Sequence, residues 1–119
     1  MEENKVRPLT GREYQVLAMR TCSIPYDDTR GMLNHAVFGL NSEAGEVAAI
    51  FQKEYQGHPF DAALLKKETG DCLWMIAEIC TAMGWTIDEV MWENIEKLKN
   101  RFPNGFDLEK SLHRKPGDV

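Results

Sequence analysis

The chain has 119 residues, 43% of them hydrophobic and 28% charged, with a formal net charge of −5. One domain over residues 1–119 fits that length, burying ~65% of its unfolded surface, and the composition excludes disordered, collagen-like and coiled-coil classes. The acidic balance excludes a nucleic-acid-binding surface, and the uncharged run 32–42 falls well short of the ~20 apolar residues of a membrane span.

The stretch 1–8 is polar and has no apolar leader segment. Residues 10–13 spell a capping box, Thr10 at the N-cap and Glu13 three on. A first helix is predicted over about 11–21, with Tyr14, Leu17 and Ala18 on one face. Residues 23–31 hold Pro25, Asp27, Asp28 and Gly31 and read as a loop. A second helix is predicted over about 32–56, with Leu33, Ala36, Val37, Leu40, Ala44, Val47, Ala48, Phe51 and Tyr55 at steps of three and four. Gly57, His58 and Pro59 end it. Asp61 caps a third helix over 62–83, with Leu65, Cys72, Leu73, Ile76, Ile79 and Met83 inward and Gly84 as its C-terminal stop. A second capping box at 86–89 opens a fourth helix to about Arg101, and the tail from Phe106 reads as short, polar and loosely attached.

The fold class is therefore all-α, about four helices in an antiparallel bundle. The short turn 57–60 makes the second and third helices an antiparallel hairpin. Cys22, Cys72 and Cys80 are odd in number and read as small core residues of a protein in the reducing cytoplasm. His35 and His58 read as structural. Trp74 points away from the acid side of its helix and is assigned to a subunit interface.

Four acids carry the chemistry. Glu43 and Glu46 on the second helix, and Glu68 and Asp71 on the third, are each spaced i, i+3, one side of a helix. At roughly 100° per residue, Glu43 and Glu68 fall inside the apolar arcs of their helices and Glu46 and Asp71 at the rims. A core-facing carboxylate demands a raised pKa or a cation, and no Lys or Arg shares these inward faces. A divalent metal meets that demand, and oxygen-only ligands favour Mg²⁺ or Mn²⁺. The other reading is a set of solvated acids. On the fourth helix, Asn94, Lys97 and Arg101 form one polar stripe, and Lys53 follows the first acid pair. They either face a phosphate chain or form an ordinary solvated face, with Lys97 paired to Glu93. There is no Gly-rich phosphate loop and no CxxC site, and the Glu-x-x-His of a di-iron bundle is missing.

Three blocks carry a family resemblance: Gly39-Leu40-Asn41-Ser42-Glu43-Ala44-Gly45-Glu46-Val47; Glu68-Thr69-Gly70-Asp71-Cys72-Leu73-Trp74; and the run from Asn94 through Lys97 and Arg101 to Phe106. With the 57–59 turn they cover about residues 30–106 and resemble the MazG-like all-α nucleotide pyrophosphohydrolases. The resemblance implies Mg²⁺-dependent hydrolysis of nucleoside triphosphates, deoxy or non-standard ones included, to monophosphate and pyrophosphate. A metal-activated water would attack the α-phosphorus. Glu43 and Glu46 match the family's ExxE and Glu68 and Asp71 its ExxD. Asn94, Lys97, Arg101 and Lys53 match its phosphate-contacting positions. It also implies a homodimer or homotetramer. Many members carry a further Glu directly before the ExxE, where this chain has Ser42. The alternatives are a non-catalytic helical module that binds metal or nucleotide, and a structural adaptor.

Overall fold

The computed structural model describes residues 7–119, so the reading of the polar N-terminal stretch falls largely on residues outside the described ones. Among the described residues there are five helices and no strand: α1 (Gly11–Met19), α2 (Thr29–Tyr55), α3 (Ala62–Met83), α4 (Ile87–Arg101) and α5 (Leu108–Leu112). They fall into two compact units, Met1–Ile87 and Asp88–Val119.

Helix starts follow side-chain chemistry. Thr10 accepts from the Glu13 amide at 3.0 Å while the Glu13 carboxylate accepts from the Thr10 amide at 3.1 Å, the reciprocal box expected. Asp61 accepts from the Leu64 amide at 3.0 Å and starts α3 where predicted. Such a cap stabilises a helix by about 1 kcal/mol. The α2 start differs from the prediction by three residues. Asp28 is its N-cap, accepting from the Gly31 amide at 2.9 Å, so the last three residues of the predicted loop are helical. A Cβ at Gly31 would collide with the Asp28 carboxylate; the residue that read as a loop marker is what lets the cap close. Gly84 ends α3 at φ 73°, in the left-handed region that glycine enters without steric penalty.

In the first unit, α2 and α3 form the expected hairpin and α1 packs on α3. Contacting pairs converge on the turn: His35 meets Glu78, Glu43 neighbours Glu68, and the rings of Phe51 and Phe60 lie 5.6 Å apart. That progression is an antiparallel register. The core is small: Ala18, Met19, Met32, Ala77, Cys80 and Ile87, flanked by Tyr14, Trp74 and Ile76. Trp74 belongs here rather than at an interface. Its indole donates to the Ala18 carbonyl and to the Thr21 hydroxyl, both at 2.9 Å, because a buried indole N–H needs an acceptor and the end of α1 supplies two. Of the cysteines, Cys80 is buried, while Cys22 and Cys72 are only half-buried.

Two buried polar residues stitch this unit together. The Gln15 amide donates to Thr81 at 3.0 Å and to the Trp85 carbonyl at 2.9 Å, and its oxygen accepts from the Ile87 amide at 2.9 Å. Glu78, with no exposed surface, holds His35 Nδ1 at 2.6 Å and lies 3.5 Å from the Cys22 thiol. Burial pushes that thiol's pKa up, and the Glu78 contact adds to the rise.

The apolar stripes are only partly covered. Val37, Phe51, Tyr55, Leu73 and Met83, all predicted inward, are exposed, and Phe38 joins them. One hairpin partner and one short helix cover a single side of α2, which leaves the rest of its wide stripe bare.

The second unit corrects the expectation of a loose tail. Phe102 and Phe106 pack at 5.4 Å, Asp107 caps α5, and Arg101 grips Asp118 through two hydrogen bonds of 2.8 and 2.6 Å. Polar composition hid this closure, since an ion pair across 17 residues leaves no periodic signal.

Candidate metal and active site

The acids lie at the middle of the hairpin, where α2 and α3 run side by side. Helical spacing of three puts Glu43 and Glu46 on one side of α2, and Glu68 and Asp71 on one side of α3. The antiparallel register brings the two sides together. Carboxylate oxygens of Glu43, Glu68 and Asp71 lie within 4.8 Å of one another. Glu43 and Glu68 are half-buried, and Asp71 and Glu46 are exposed. Core-facing and rim positions thus fall as helical periodicity predicts.

The electrostatics are those of crowded acids. Desolvation raises the Glu68 pKa above its ordinary 4.5, and the charges of Asp71, Glu43 and Glu46 push it further, with a hydrogen bond to Glu43 in the same direction. The charges that most raise the Glu68 pKa are thus those of other carboxylates, Glu46 included. Tyr14 on α1 is within reach of the Asp71 charge: burial raises its hydroxyl pKa first, and Asp71 adds to it. Tyr14 is the site neighbour that sequence reasoning missed. It stood on the inward face of α1, but only the packing of α1 on α3 reveals which acid it meets.

The donor set fits a hard divalent cation. All donors are carboxylate oxygens, the hard ligands that Mg²⁺ and Mn²⁺ prefer, and they lie within 4.8 Å of one another.

Lys53 does not belong to the acid cluster. Lys53 is two turns beyond Glu46, roughly 10 Å along α2. It lines a separate recess of about 400 Å³ with Ile50, His58, Phe60 and Leu64 at the hairpin turn. Asn94 and Lys97 are exposed on α4. The Arg101 side chain is 10% exposed and is already engaged by Asp118. Its pKa is raised by the Asp118 hydrogen bond. His35 is structural as expected, locked to Glu78, and His58 sits in the turn with its amide on the Lys53 carbonyl at 2.9 Å.

Fold and site together define an all-helical protein that presents converging carboxylates from two helices of an antiparallel hairpin. The family model for the MazG nucleotide pyrophosphohydrolase domain matches residues 34–106, more than half of the chain and the whole span from Glu43 to Phe106. The chain belongs to that family, whose members typically depend on a divalent metal. No curated protein and no solved structure matches it. Among the described residues no helix is long and apolar enough to cross a membrane.

Proposed function

We propose that this chain hydrolyses a nucleoside or deoxynucleoside triphosphate to the monophosphate and pyrophosphate, using Mg²⁺ with Mn²⁺ as a substitute. The observation that carries the reading is the convergence of Glu43, Glu68 and Asp71 inside a matched family span. Glu43, Glu46, Glu68 and Asp71 hold the metal. When bound, the metal supplies charge neutralisation for the triphosphate and lowers the pKa of a coordinated water.

The reaction breaks the α–β anhydride. Water adds at the α-phosphorus, pyrophosphate departs with the bridging oxygen, and Glu43 or Glu46 takes up the proton that the water loses. Glu46 suits that role because it stands at the exposed rim, next to the more buried ligands. Asn94, Lys97, Arg101 and Lys53 bind the phosphate chain and hold the negative charge of the leaving group. Residues 1–119 act as one such domain in the cytoplasm, a compartment that suits three free thiols. The exposed Val37, Phe38, Phe51 and Tyr55 support assembly as a homodimer or homotetramer through α2.

The test is pyrophosphate release from a panel of ribo-, deoxyribo- and modified nucleoside triphosphates, with Mg²⁺ and with EDTA. Metal-dependent release that is abolished by Glu43→Gln or Asp71→Asn, with the helices intact by circular dichroism, supports the reading. Release of single phosphate, or wild-type turnover in both variants, overturns it. Nucleotide binding without any release identifies a regulatory binding module instead.

A further inference from the structure

The chain carries a net charge of −5, yet one cavity of its second unit gathers cations. The end of α4, α5 and the segment after it enclose a cavity of about 610 Å³. Lys97, Arg101, Lys110, His113, Arg114 and Lys115 line it, and the acidic side chain among its lining residues is Asp118, with the Val119 oxygen also accepting from Arg101 at 3.3 Å. Most of these groups lie after residue 106, beyond the family match. The volume is that of a small-molecule site, typically about 300–1,000 Å³. Apart from the His113 imidazole the lining has no aromatic ring, so it offers charge and hydrogen-bond donors rather than a platform for a base.

Asp118 shows where an anion sits in this cavity. Its two oxygens take the Arg101 fork at 2.8 and 2.6 Å, the bidentate geometry in which a guanidinium also grips a phosphate. Arg114 and Lys97 act on the same carboxylate. A turn holds it there, the Asp118 amide donating to the Lys115 carbonyl at 3.0 Å. A side-chain carboxylate carries one charge and a diphosphate at least two, so the five lysines and arginines of the lining offer a diphosphate more partners than Asp118 uses.

We propose that this cavity is a binding site for a diphosphate or triphosphate group, and that Asp118 is an internal competitor which the incoming phosphate displaces from Arg101. The proposal rests on the phosphate-contacting role of Lys97 and Arg101 given above, and adds Lys110, Arg114 and Lys115 as ligands and Asp118 as the gate. Phosphate oxygens replace the Asp118 oxygens on the Arg101 fork, and the tail cations close on the outer phosphate. No metal is required for this contact.

Titration calorimetry on the full chain in EDTA tests it, with inorganic pyrophosphate and a nucleoside triphosphate in separate arms. Both are expected to bind with similar affinity, since the cavity reads phosphate and not base. Asp118→Asn, which keeps an acceptor for Arg101 but removes the charge, is expected to tighten binding about tenfold, with Asp118→Ala as a second variant. Lys110→Ala with Arg114→Ala is expected to weaken it by at least about tenfold. Absence of pyrophosphate binding in wild type and both Asp118 variants overturns the proposal. So does an affinity unmoved by the Lys110/Arg114 pair, or binding of the nucleotide alone. Failure of the enzymatic reading looks different: pyrophosphate still binds in EDTA, but no triphosphate is cleaved with Mg²⁺.

Discussion

Glu78 Oε1 and His35 Nδ1 meet at 2.6 Å across the α2–α3 seam, on a carboxylate with no exposed surface. Glu78 stands two turns beyond Asp71 on α3, and His35 eight residues before Glu43 on α2. The contact therefore fixes rotation and register of both helices just beyond the acid cluster. Breaking a buried pair leaves an uncompensated charge. Because the His35 side chain is 48% exposed, water enters to relieve part of that penalty. His35→Ala is expected to lose about 2–3 kcal/mol in urea unfolding. Glu78→Gln, which removes the charge and keeps the shape, should lose less. A His35→Ala loss under about 0.5 kcal/mol would mean that the seam is held by apolar packing alone.

The Gln15 amide makes a parallel case for neutral groups. It is 2% exposed and satisfies Thr81, the Trp85 carbonyl and the Ile87 amide at once. Gln15→Leu preserves bulk but orphans the Trp85 carbonyl and the Ile87 N–H, and each buried unsatisfied group costs about 1–3 kcal/mol. The expected loss is about 3 kcal/mol in the same assay, with the Ile87 amide losing its hydrogen-exchange protection. Retained protection there would show that another acceptor takes over.

The acid cluster sets an unusual pH response. Glu68 has a folded pKa raised above 4.5 by desolvation and by Asp71, Glu43 and Glu46. Between its unfolded and folded pKa values the native state binds more protons than the unfolded state, so stability falls as pH rises through that window. Metal-free protein is thus expected to become more stable on acidification from neutral pH toward 4.5. Glu13 and Asp118 have lowered pKa values, through the Thr10 amide and Arg101 respectively. Their contributions are complete above their ordinary values of 4.5 and 3.8 and are lost only below them. Denaturation curves in EDTA across this range should show the gain, and Glu68→Gln should remove it while raising stability at neutral pH. An unchanged pH profile in Glu68→Gln would assign the gain to another group.

The acids were legible in the sequence because helical periodicity alone decides whether a position is core-facing or at the rim. Glu43 and Glu68 fall inside apolar stripes, and their exposure follows. The α3 bounds were legible too, since Asp61 and Gly84 act on their own neighbours. What was not legible depends on distant chain. Trp74 looked like an interface residue until the end of α1 supplied its acceptors. Glu78 sits in an apolar run, and nothing local distinguishes a carboxylate that meets His35 43 residues away from one that bends to solvent. The Arg101–Asp118 grip was hidden for the same reason, in a tail whose composition reads as polar and loose.

Metal binding is the last consequence of the same crowding. Burial raises the Glu68 pKa first and three other acids raise it further, and a divalent cation answers that repulsion better than a proton does. Below the raised pKa, binding must displace the Glu68 proton, so affinity should fall as pH drops through it. At a Mg²⁺ or Mn²⁺ concentration ~100 times the dissociation constant, the native state gains about 2.7 kcal/mol, seen as a higher melting temperature. Glu43→Gln and Asp71→Asn should each abolish most of that gain, although each also relieves repulsion and so melts higher than wild type in EDTA. The two effects have opposite signs in one residue, which separates a metal ligand from a surface acid. An Asp71→Asn variant that keeps its full Mg²⁺ shift would remove Asp71 from the ligand set.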